Sequence, residues 1–216
     1  SGIAYTADEL KAIGEVLIKH PDILVATDDM YEHILWTGQP FVNIVNVCPE
    51  LYDRTIVMNG VSKAYSMTGW RIGYAAGPQK LIKAMTKVQS QSTSNPASIS
   101  QAAAEAALAG PQDCIAEMNV AFKQRHDWLV AALNNLPGVT CLEGDGTFYA
   151  FADFSGAIKQ LGLANDIELA EKLLEGGVAL VPGSAFGSEG CMRFSFAVSL
   201  DTLKSAVERI AAVLAK

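Results

Sequence analysis

Two cations stand out in a stretch of the sequence that is otherwise uncharged. The segment from Ile56 to Arg71 reads IVMNGVSKAYSMTGWR, and Lys63 and Arg71 are its charged residues. A lysine in apolar surroundings loses its proton readily, because desolvation penalises the ammonium form, and the neutral amine can then attack a carbonyl carbon. Arg71 lies close to Gly69 and can bind a phosphate through two parallel hydrogen bonds. The alternative is a solvated lysine with its stem on the surface and a surface arginine.

Asp28 and Tyr31 follow a short apolar segment, Ile23–Thr27, that predicts a buried strand. In open α/β sheets, ligands bind at the carboxyl ends of the strands. An aspartate at that edge can keep a pyridinium nitrogen protonated, and a tyrosine hydroxyl can hydrogen-bond a ring oxygen. The alternative is an aspartate that caps a helix and a tyrosine that packs.

Arg193 lies in MRFSFA, a strand-like run that is otherwise uncharged. An arginine within a strand usually pairs with a carboxylate, which can belong to a ligand or to a neighbouring Asp or Glu. The nearby segment VPGSAFGSEG (Val181–Gly190) is rich in glycine but lacks the ending of a P-loop and any GxGxxG pattern. We therefore interpret it as a flexible surface loop or a loop on the substrate side.

The elements that would position these residues begin with a helix. Thr6 and Glu9 form a capping box before an apolar stripe, and Pro21 ends the helix that follows. Further strands are predicted at Thr55–Asn59 and Arg71–Ala76. This alternation of helix and strand predicts an α/β fold.

Helical patterns follow these strands: one that begins at Pro78, an alanine-rich one at Ser98–Leu108, and Pro111–Leu136. The last reads as one long helix that joins two domains. After residue 138 the pattern changes to short strands, VTCL, TFYAFAD, VALV and MRFSFA, with helices at Asp166–Glu175 and Asp201–Lys216. This second part is a smaller α+β unit.

Composition excludes several classes of function. The net charge of −7 argues against a nucleic-acid partner or an acidic membrane surface. The sequence has no run of 18 apolar residues, so no membrane span is predicted, and we do not expect the opening segment SGIAYTADEL to be a signal peptide. The four cysteines and three histidines show no ligand spacing, so no metal site is predicted. We expect a cytoplasmic protein.

The motifs resemble those of a known enzyme family. SKAYSMTGWRIGYAAGP resembles the cofactor-lysine segment of class I aminotransferases, the aspartate aminotransferase group of the fold-type I enzymes that use pyridoxal 5'-phosphate (PLP). ATDDMYEHI resembles the strand that carries the family's aspartate and tyrosine contacts to the cofactor ring. STSNPASISQ, GTFYAF, VPGSAFG and MRFSFA resemble later segments, in the family's order. The resemblance covers essentially the whole chain.

The resemblance assigns a role to each candidate residue. Lys63 resembles the lysine that binds PLP covalently, Asp28 the aspartate paired with the pyridine nitrogen, and Tyr31 the tyrosine on the ring hydroxyl. Arg71 resembles an arginine that binds the phosphate, and Arg193 resembles the arginine that binds the α-carboxylate of the substrate.

One position departs from the family pattern. Many members have a serine three residues before the lysine as a phosphate ligand, whereas this chain has Gly60 there and Ser62 directly before Lys63. Asn95 lies in a segment that, in the family, can reach the partner subunit's site. Whether Ser62 or Asn95 contributes to the site stays open.

The resemblance also implies a domain arrangement. Residues 1–136 would be part of the PLP-binding large domain, an incomplete and mainly parallel sheet with helices, and residues 137–216 the small C-terminal domain. The family's phosphate loop, the aromatic residue stacked on the ring and an asparagine-proline motif precede the matched region. We therefore expect a chain that lacks roughly the first half of a complete enzyme, with missing strands or a partner covering its open sheet edges.

The activity that the resemblance implies is PLP-dependent amino transfer from an L-amino acid to 2-oxoglutarate. Aspartate is the expected donor, and aromatic amino acids and alanine are the alternatives. The resemblance also implies a homodimer. Two other functions remain open: a PLP-dependent lyase on the same fold, and a folded fragment without activity of its own. Since the resemblance places the phosphate loop outside this chain, we expect the activity in the intact enzyme and not in this chain alone.

Overall fold

A computed structural model describes residues 1–215, and its helices and sheets confirm the predicted α/β class. The chain divides into two units. The N-terminal unit is Ala4–Glu117, and the C-terminal unit is Ser1–Ile3 with the chain from Met118 onward. The assignment of residues 1–136 to a large domain and 137–216 to a small domain stays a prediction.

The predicted helices and strands of the N-terminal unit occur in the predicted order. The elements of this unit are α1 (Ala7–Ile18), β1 (Val25–Asp28), α2 (Ile44–Val47), β2 (Thr55–Asn59), β3 (Tyr74–Ala76), α3 (Gln79–Ser90), α4 (Ser98–Ala109) and the start of α5 (Asp113–Asn134). The short helix α2 was not predicted, and β3 begins at Tyr74 rather than at Arg71. Two short 3₁₀ helices lie at Pro49–Arg54 and Thr68–Trp70. The single helix predicted over Pro111–Leu136 is confirmed as α5.

Helix α1 begins at the predicted capping box. Thr6 Oγ1 accepts a hydrogen bond from the amide N–H of Glu9 at 3.2 Å, and Glu9 Oε2 accepts one from the amide N–H of Thr6 at 2.8 Å. The buried Gly14 of this helix lies against Cys48, where a Cβ would find no room. The helix can therefore approach a small core that consists of Ile44, Cys48 and Leu51.

The sheet of the N-terminal unit has the order β1-β2-β3 and is mixed. Strands β1 and β2 are parallel, with Asp28 opposite Met58, whereas β3 is antiparallel to β2, so the expected parallel arrangement applies to one of the two strand pairs. The predicted start of the first strand was wrong, because Ile23 and Leu24 precede β1 and are 46% and 67% exposed. The Arg54 guanidinium binds the Ile23 carbonyl at 2.6 Å, so that this carbonyl is satisfied outside the ladder.

The C-terminal unit has an antiparallel sheet of order β4-β5-β7-β6. Its elements after α5 are β4 (Thr140–Cys141), β5 (Tyr149–Asp153), α6 (Ser155–Gln160), α7 (Asp166–Glu175), β6 (Val181–Pro182), a 3₁₀ helix (Gly183–Phe186), β7 (Cys191–Ser195) and α8 (Leu200–Leu214). Helix α7 has the predicted bounds, and α8 confirms the last predicted helix, whose final residue, Lys216, lies outside the described residues.

One strand prediction for the C-terminal unit was wrong over most of its length. The VALV segment forms a strand only at its last residue, Val181, which pairs with Arg193 of β7. The glycine-rich segment predicted as a surface or substrate-side loop contains a 3₁₀ helix at Gly183–Phe186. Its turn is closed by hydrogen bonds from the amides of Gly187 and Ser188 to the carbonyls of Ser184 and Gly183, at 3.1 and 3.0 Å.

The two faces of the β5–β7 pair differ in character. On one face, Ala150, Ala152, Met192 and Phe194 are buried and contribute to the core of the unit. The other face carries the half-buried side chains of Tyr149, Phe151 and Arg193. Because side chains alternate along a strand, these residues are set apart from the core.

The cysteines are expected to differ sharply in reactivity. Burial raises the pKa of the Cys141 thiol to about 11. At pH 8 about one Cys141 thiol in a thousand is therefore ionised, and the thiolate is the reactive form. Cys114 is exposed. We expect iodoacetamide at pH 8 to label Cys114 at least about 100-fold faster than Cys141, as measured by peptide mass spectrometry. Equal rates for the two thiols would contradict the buried position of Cys141.

Candidate functional site

The carboxyl ends of β1 and β2 meet at one edge of the sheet, because the two strands are parallel. Asp28 is the last residue of β1, and Lys63 lies four residues after the end of β2. Three backbone hydrogen bonds close the turn that holds Lys63: from the Tyr65 amide to the Val61 carbonyl at 3.3 Å, from the Ser66 amide to the Lys63 carbonyl at 3.2 Å, and from the Met67 amide to the Ser62 carbonyl at 3.1 Å. Candidate residues from separate parts of the sequence thus reach the same edge.

The structure brings Lys63 and Tyr31 together. Lys63 Nζ lies over the Tyr31 ring, 5.8 Å from its centroid, and both residues are half-buried. Their contact arises because the turn after β1 and the turn after β2 both leave the sheet at its carboxyl edge. An amine and a phenol in this arrangement can hold a small aromatic ligand between strand ends.

Asp28 presents its carboxylate to solvent. Its Oδ1 accepts a hydrogen bond from the Met30 amide at 3.2 Å, which orients the side chain without covering it. An exposed carboxylate at a sheet edge is available to a protonated ligand nitrogen.

Arg71 follows the 3₁₀ helix Thr68–Trp70 and has the left-handed backbone conformation, with φ of 51°. Its Nη1 donates to the Thr68 carbonyl at 2.7 Å, and the residue is exposed. Ser66 also has a positive φ, of 53°. Left-handed residues other than glycine are strained and cluster at functional sites, so this segment is a good candidate for one.

Gly60 and Gly73 bring the end of β2 and the start of β3 close together. A Cβ on Gly60 would lie 3.1 Å from the Gly73 Cα, 3.2 Å from Met30 Cε and 3.3 Å from the Ile72 carbonyl oxygen. A side chain at position 60 would therefore require its neighbours to move. This close packing favours glycine at position 60, where many members of the family that the sequence resembles have serine.

Asn59 and Glu32 are residues of this edge that the sequence analysis missed. Asn59 is buried, and its Nδ2 donates to Glu32 Oε1 at 2.6 Å while its Oδ1 accepts from the Gly60 amide at 2.7 Å. The bridge joins the turn that follows Tyr31 to the strand end that precedes Lys63. No sequence spacing signals this contact, because 27 positions separate the two partners.

Replacing Asn59 with aspartate should destabilise this edge. The new carboxylate would face the Glu32 carboxylate in place of the amide that now donates to it, at a cost of about 1–3 kcal/mol. The shift in the urea midpoint, followed by tryptophan fluorescence, measures the effect. The matched control adds Glu32→Gln, whose amide can donate to the new carboxylate, and this double variant should recover most of the loss. Equal midpoints for the wild type and the Asn59→Asp single variant would contradict the bridge.

A buried carboxylate, Asp29, was also missed. Its Oδ1 accepts from Thr27 Oγ1 at 2.6 Å, and its Oδ2 accepts from Asn43 Nδ2. Asn43 in turn caps α2 by accepting from the Val45 amide at 2.9 Å. Asp29 thus ties the end of β1 to α2. Two consecutive aspartates gave no indication in the sequence of which one lies inside.

The remaining candidates lie elsewhere in the chain. Asn95 is exposed, and its Nδ2 donates to the carbonyl of the adjacent Pro96 at 2.8 Å. Arg193 lies on β7 of the C-terminal unit, and its Cζ is 4.5 Å from the ring centroids of both Tyr149 and Phe186. Within residues 1–215, no carboxylate lies within ion-pair distance of Arg193. The alternative, in which Arg193 pairs with a neighbouring Asp or Glu, is therefore not seen in the described part of the chain.

The described residues hold no cluster of three or more His, Cys, Asp or Glu side chains that could bind a metal ion. No helix between residues 1 and 215 is both long and apolar enough to cross a membrane.

A family model described as aminotransferase class I and II matches residues 1–210. The chain is 57% identical to the aspartate/prephenate aminotransferase of Nitrosomonas europaea, over 99% of this chain and 56% of that protein. It is 49% identical to the aspartate aminotransferase of Geobacillus stearothermophilus, over 97% of this chain and 53% of that protein.

A solved structure also shows similarity to an aminotransferase. The crystal structure of the aspartate aminotransferase from Rhizobium meliloti superposes with a TM-score of 0.92 at 47% identity, over 100% of this chain and 55% of that one. The chain spans about half the length of the curated relatives that it matches.

Proposed function

This chain belongs to the class I and II aminotransferase family, and we propose that it serves the transfer of amino groups between L-amino acids and 2-oxo acids, with PLP bound at Lys63. The observation that carries the proposal is the Lys63 amine, 5.8 Å from the centroid of the Tyr31 ring at the carboxyl edge of two parallel strands. A homodimer and a cytoplasmic location remain predictions.

The side chains at this edge fit PLP in their chemistry. The Lys63 amine suits the cofactor's carbonyl carbon, and the exposed Asp28 carboxylate suits a protonated pyridine nitrogen. The Tyr31 hydroxyl suits the ring oxygen. Arg71 uses one N–H on the Thr68 carbonyl and keeps other donors for the phosphate.

When bound, PLP supplies a ring that accepts electrons from the substrate's Cα. Lys63 would bind it through Nζ, and after displacement by the substrate amine the same Nζ would take up the Cα proton and deliver it again as general acid. Asp28 would hold the proton on the pyridine nitrogen, and Arg193 would bind the substrate α-carboxylate. The bridge between Asn59 and Glu32 would keep the turns that carry Tyr31 and Lys63 in register.

L-Aspartate with 2-oxoglutarate is the substrate pair that we propose. The two relatives described above are named for aspartate, and the one from Nitrosomonas europaea is also named for prephenate. Prephenate is therefore the second acceptor to assay. Arg193 accounts for the α-carboxylate that amino acids and 2-oxo acids share.

The test begins with the cofactor. The chain is incubated with PLP, reduced with borohydride and digested, and the modified peptide is identified by mass spectrometry. We expect a dominant adduct on Lys63. An adduct spread over exposed lysines, such as Lys83 and Lys87 of α3, would contradict the cofactor site.

The reaction is tested by its products. Oxaloacetate formed from L-aspartate in the presence of 2-oxoglutarate or prephenate indicates amino transfer, and its formation should depend on the acceptor. Release of ammonia without an acceptor would instead indicate a PLP-dependent lyase and would overturn the proposed reaction.

A further inference from the structure

Arg193 has an unusual setting for a cation in a sheet. It lies in the middle of β7 on the face opposite the core, half-buried, with its Cζ 4.5 Å from each of two aromatic ring centroids. An arginine packed against rings at this distance gains electrostatic stabilisation from the ring faces. Contacts of this kind do not use up the guanidinium N–H donors, which can still form hydrogen bonds.

The two rings reach Arg193 from opposite sides of β7. Tyr149 lies on β5, where Phe151 is the direct partner of Arg193, so that Tyr149 is its diagonal neighbour. Phe186 ends the 3₁₀ helix that follows β6, and β6 pairs with β7 on the other side through Val181 and Arg193. Since β7 lies between β5 and β6 in the sheet, the guanidinium is flanked by both rings.

The ring of Phe186 is held in place although it is 50% exposed. Phe151 contacts it edge-on, with ring centroids 6.2 Å apart. The 3₁₀ helix that carries it is anchored by Asp166, a buried residue whose Oδ2 accepts from the Ser184 amide at 2.7 Å. Gly183 begins this helix at a point where a Cβ would meet the Ser188 carbonyl. Phe186 therefore takes part in packing although half of it is exposed.

We propose that Tyr149 and Phe186 are positioning residues for Arg193, holding its guanidinium flat so that its N–H edge receives a carboxylate with two parallel hydrogen bonds. The proposal rests on the proposed function for the identity of the carboxylate, which is the α-carboxylate common to amino acids and 2-oxo acids. A guanidinium that is already oriented loses less rotamer freedom on binding, so its affinity for a carboxylate is higher than that of a mobile arginine.

Tyr149 and Phe186 together form what we call the clamp, and the contribution of each ring to carboxylate affinity can be measured. Loss of one ring should weaken carboxylate binding about three- to tenfold, the range expected for one exposed to partly buried cation–π contact. Tyr149→Phe keeps the ring and should retain the wild-type affinity. Tyr149→Leu and Phe186→Leu remove one ring each, and both should show the loss.

The experiment uses the full chain labelled with ¹⁵N-arginine and follows the Nε–Hε resonances by NMR. Arg193→Gln assigns the Arg193 signal by its disappearance. Hydrogen exchange of Hε reports on how well the guanidinium is held, and a titration with sodium propionate gives the dissociation constant. Arg209, which donates to the Gly177 carbonyl at 3.5 Å, is the internal control.

We expect Hε of Arg193 to exchange at least about fivefold faster in Phe186→Leu and Tyr149→Leu, with a proportionate loss of propionate affinity and an unchanged Arg209 signal. Unchanged exchange and affinity in both variants would overturn the clamp. If propionate binding requires Arg193 but neither ring, the clamp fails while the carboxylate site of the proposed function stands. If propionate binding does not require Arg193, both the clamp and that assignment fail, whatever the cofactor test shows.

Discussion

On the proposed function, replacing Lys63 with alanine is expected to abolish covalent retention of PLP and to lower amino transfer by the intact enzyme at least about 1,000-fold. Two functions disappear with the amine: the bond to the cofactor and the proton transfer at Cα, and proton transfer alone contributes about 10²–10⁴-fold. The measurements are the borohydride-stable adduct on the chain and the rate of oxaloacetate formation. The fold should survive, since Lys63 is half-buried in a turn rather than in a core.

Two further variants make this test specific. Lys63→Arg keeps the positive charge over the Tyr31 ring but cannot lose its proton, so it should be as inactive as Lys63→Ala. Lys83→Ala removes an exposed lysine of α3 and should leave both measurements unchanged. Substantial activity in Lys63→Arg would mean that the charge, rather than the amine, is the essential property.

Replacing Gly138 with alanine is expected to destabilise the C-terminal unit by about 2–5 kcal/mol, as the sum of a left-handed backbone and an overpacked contact. Gly138 has a φ of +72°, and a Cβ there would lie 2.5 Å from the Ala157 nitrogen and 2.6 Å from the Gly156 carbonyl carbon. Both are backbone atoms of α6 that cannot turn aside, and the Ala157 amide also donates to the Gly138 carbonyl at 3.0 Å.

Gly162 provides the matched control. It has a nearly equal φ of +67°, but a Cβ there would meet nothing within 4 Å. Gly162→Ala should therefore cost about 1–2 kcal/mol, the backbone contribution alone. Thermal unfolding followed by near-ultraviolet circular dichroism separates the two variants. Equal losses would show that the approach of Gly138 to α6 is not a tight contact.

The helices were predictable because their signals are local. The capping box of Thr6 and Glu9 and the alanine-rich pattern of α4 act over one or two turns. By contrast, the start of β1 depends on the contact between Arg54 and the Ile23 carbonyl, 31 positions apart. The four-residue helix α2 depends on the cap by Asn43, which Asp29 holds from 14 positions away. Contacts at such separations leave no periodic pattern in a single sequence.

The candidate site divides in the same way. The meeting of Asp28, Tyr31 and Lys63 at one edge could be expected, because each follows a predicted strand. The bridge between Asn59 and Glu32 could not, because it requires the conformations of two turns at once. The rings around Arg193 depend on strand order and register, which no local motif encodes.

The close approach at Gly60 also constrains the order in which mutations can accumulate. Glycine and serine codons can differ by a single nucleotide, so a serine at position 60 is genetically accessible. The new Cβ would press on Met30 Cε, which can turn aside, but also on the Gly73 Cα and the Ile72 carbonyl, which belong to the backbone. A shorter side chain at position 30, or a relaxed start of β3, would relieve this pressure. The cost of a serine at position 60 therefore depends on which residues already surround it, so that a permissive change nearby makes the substitution easier to accept.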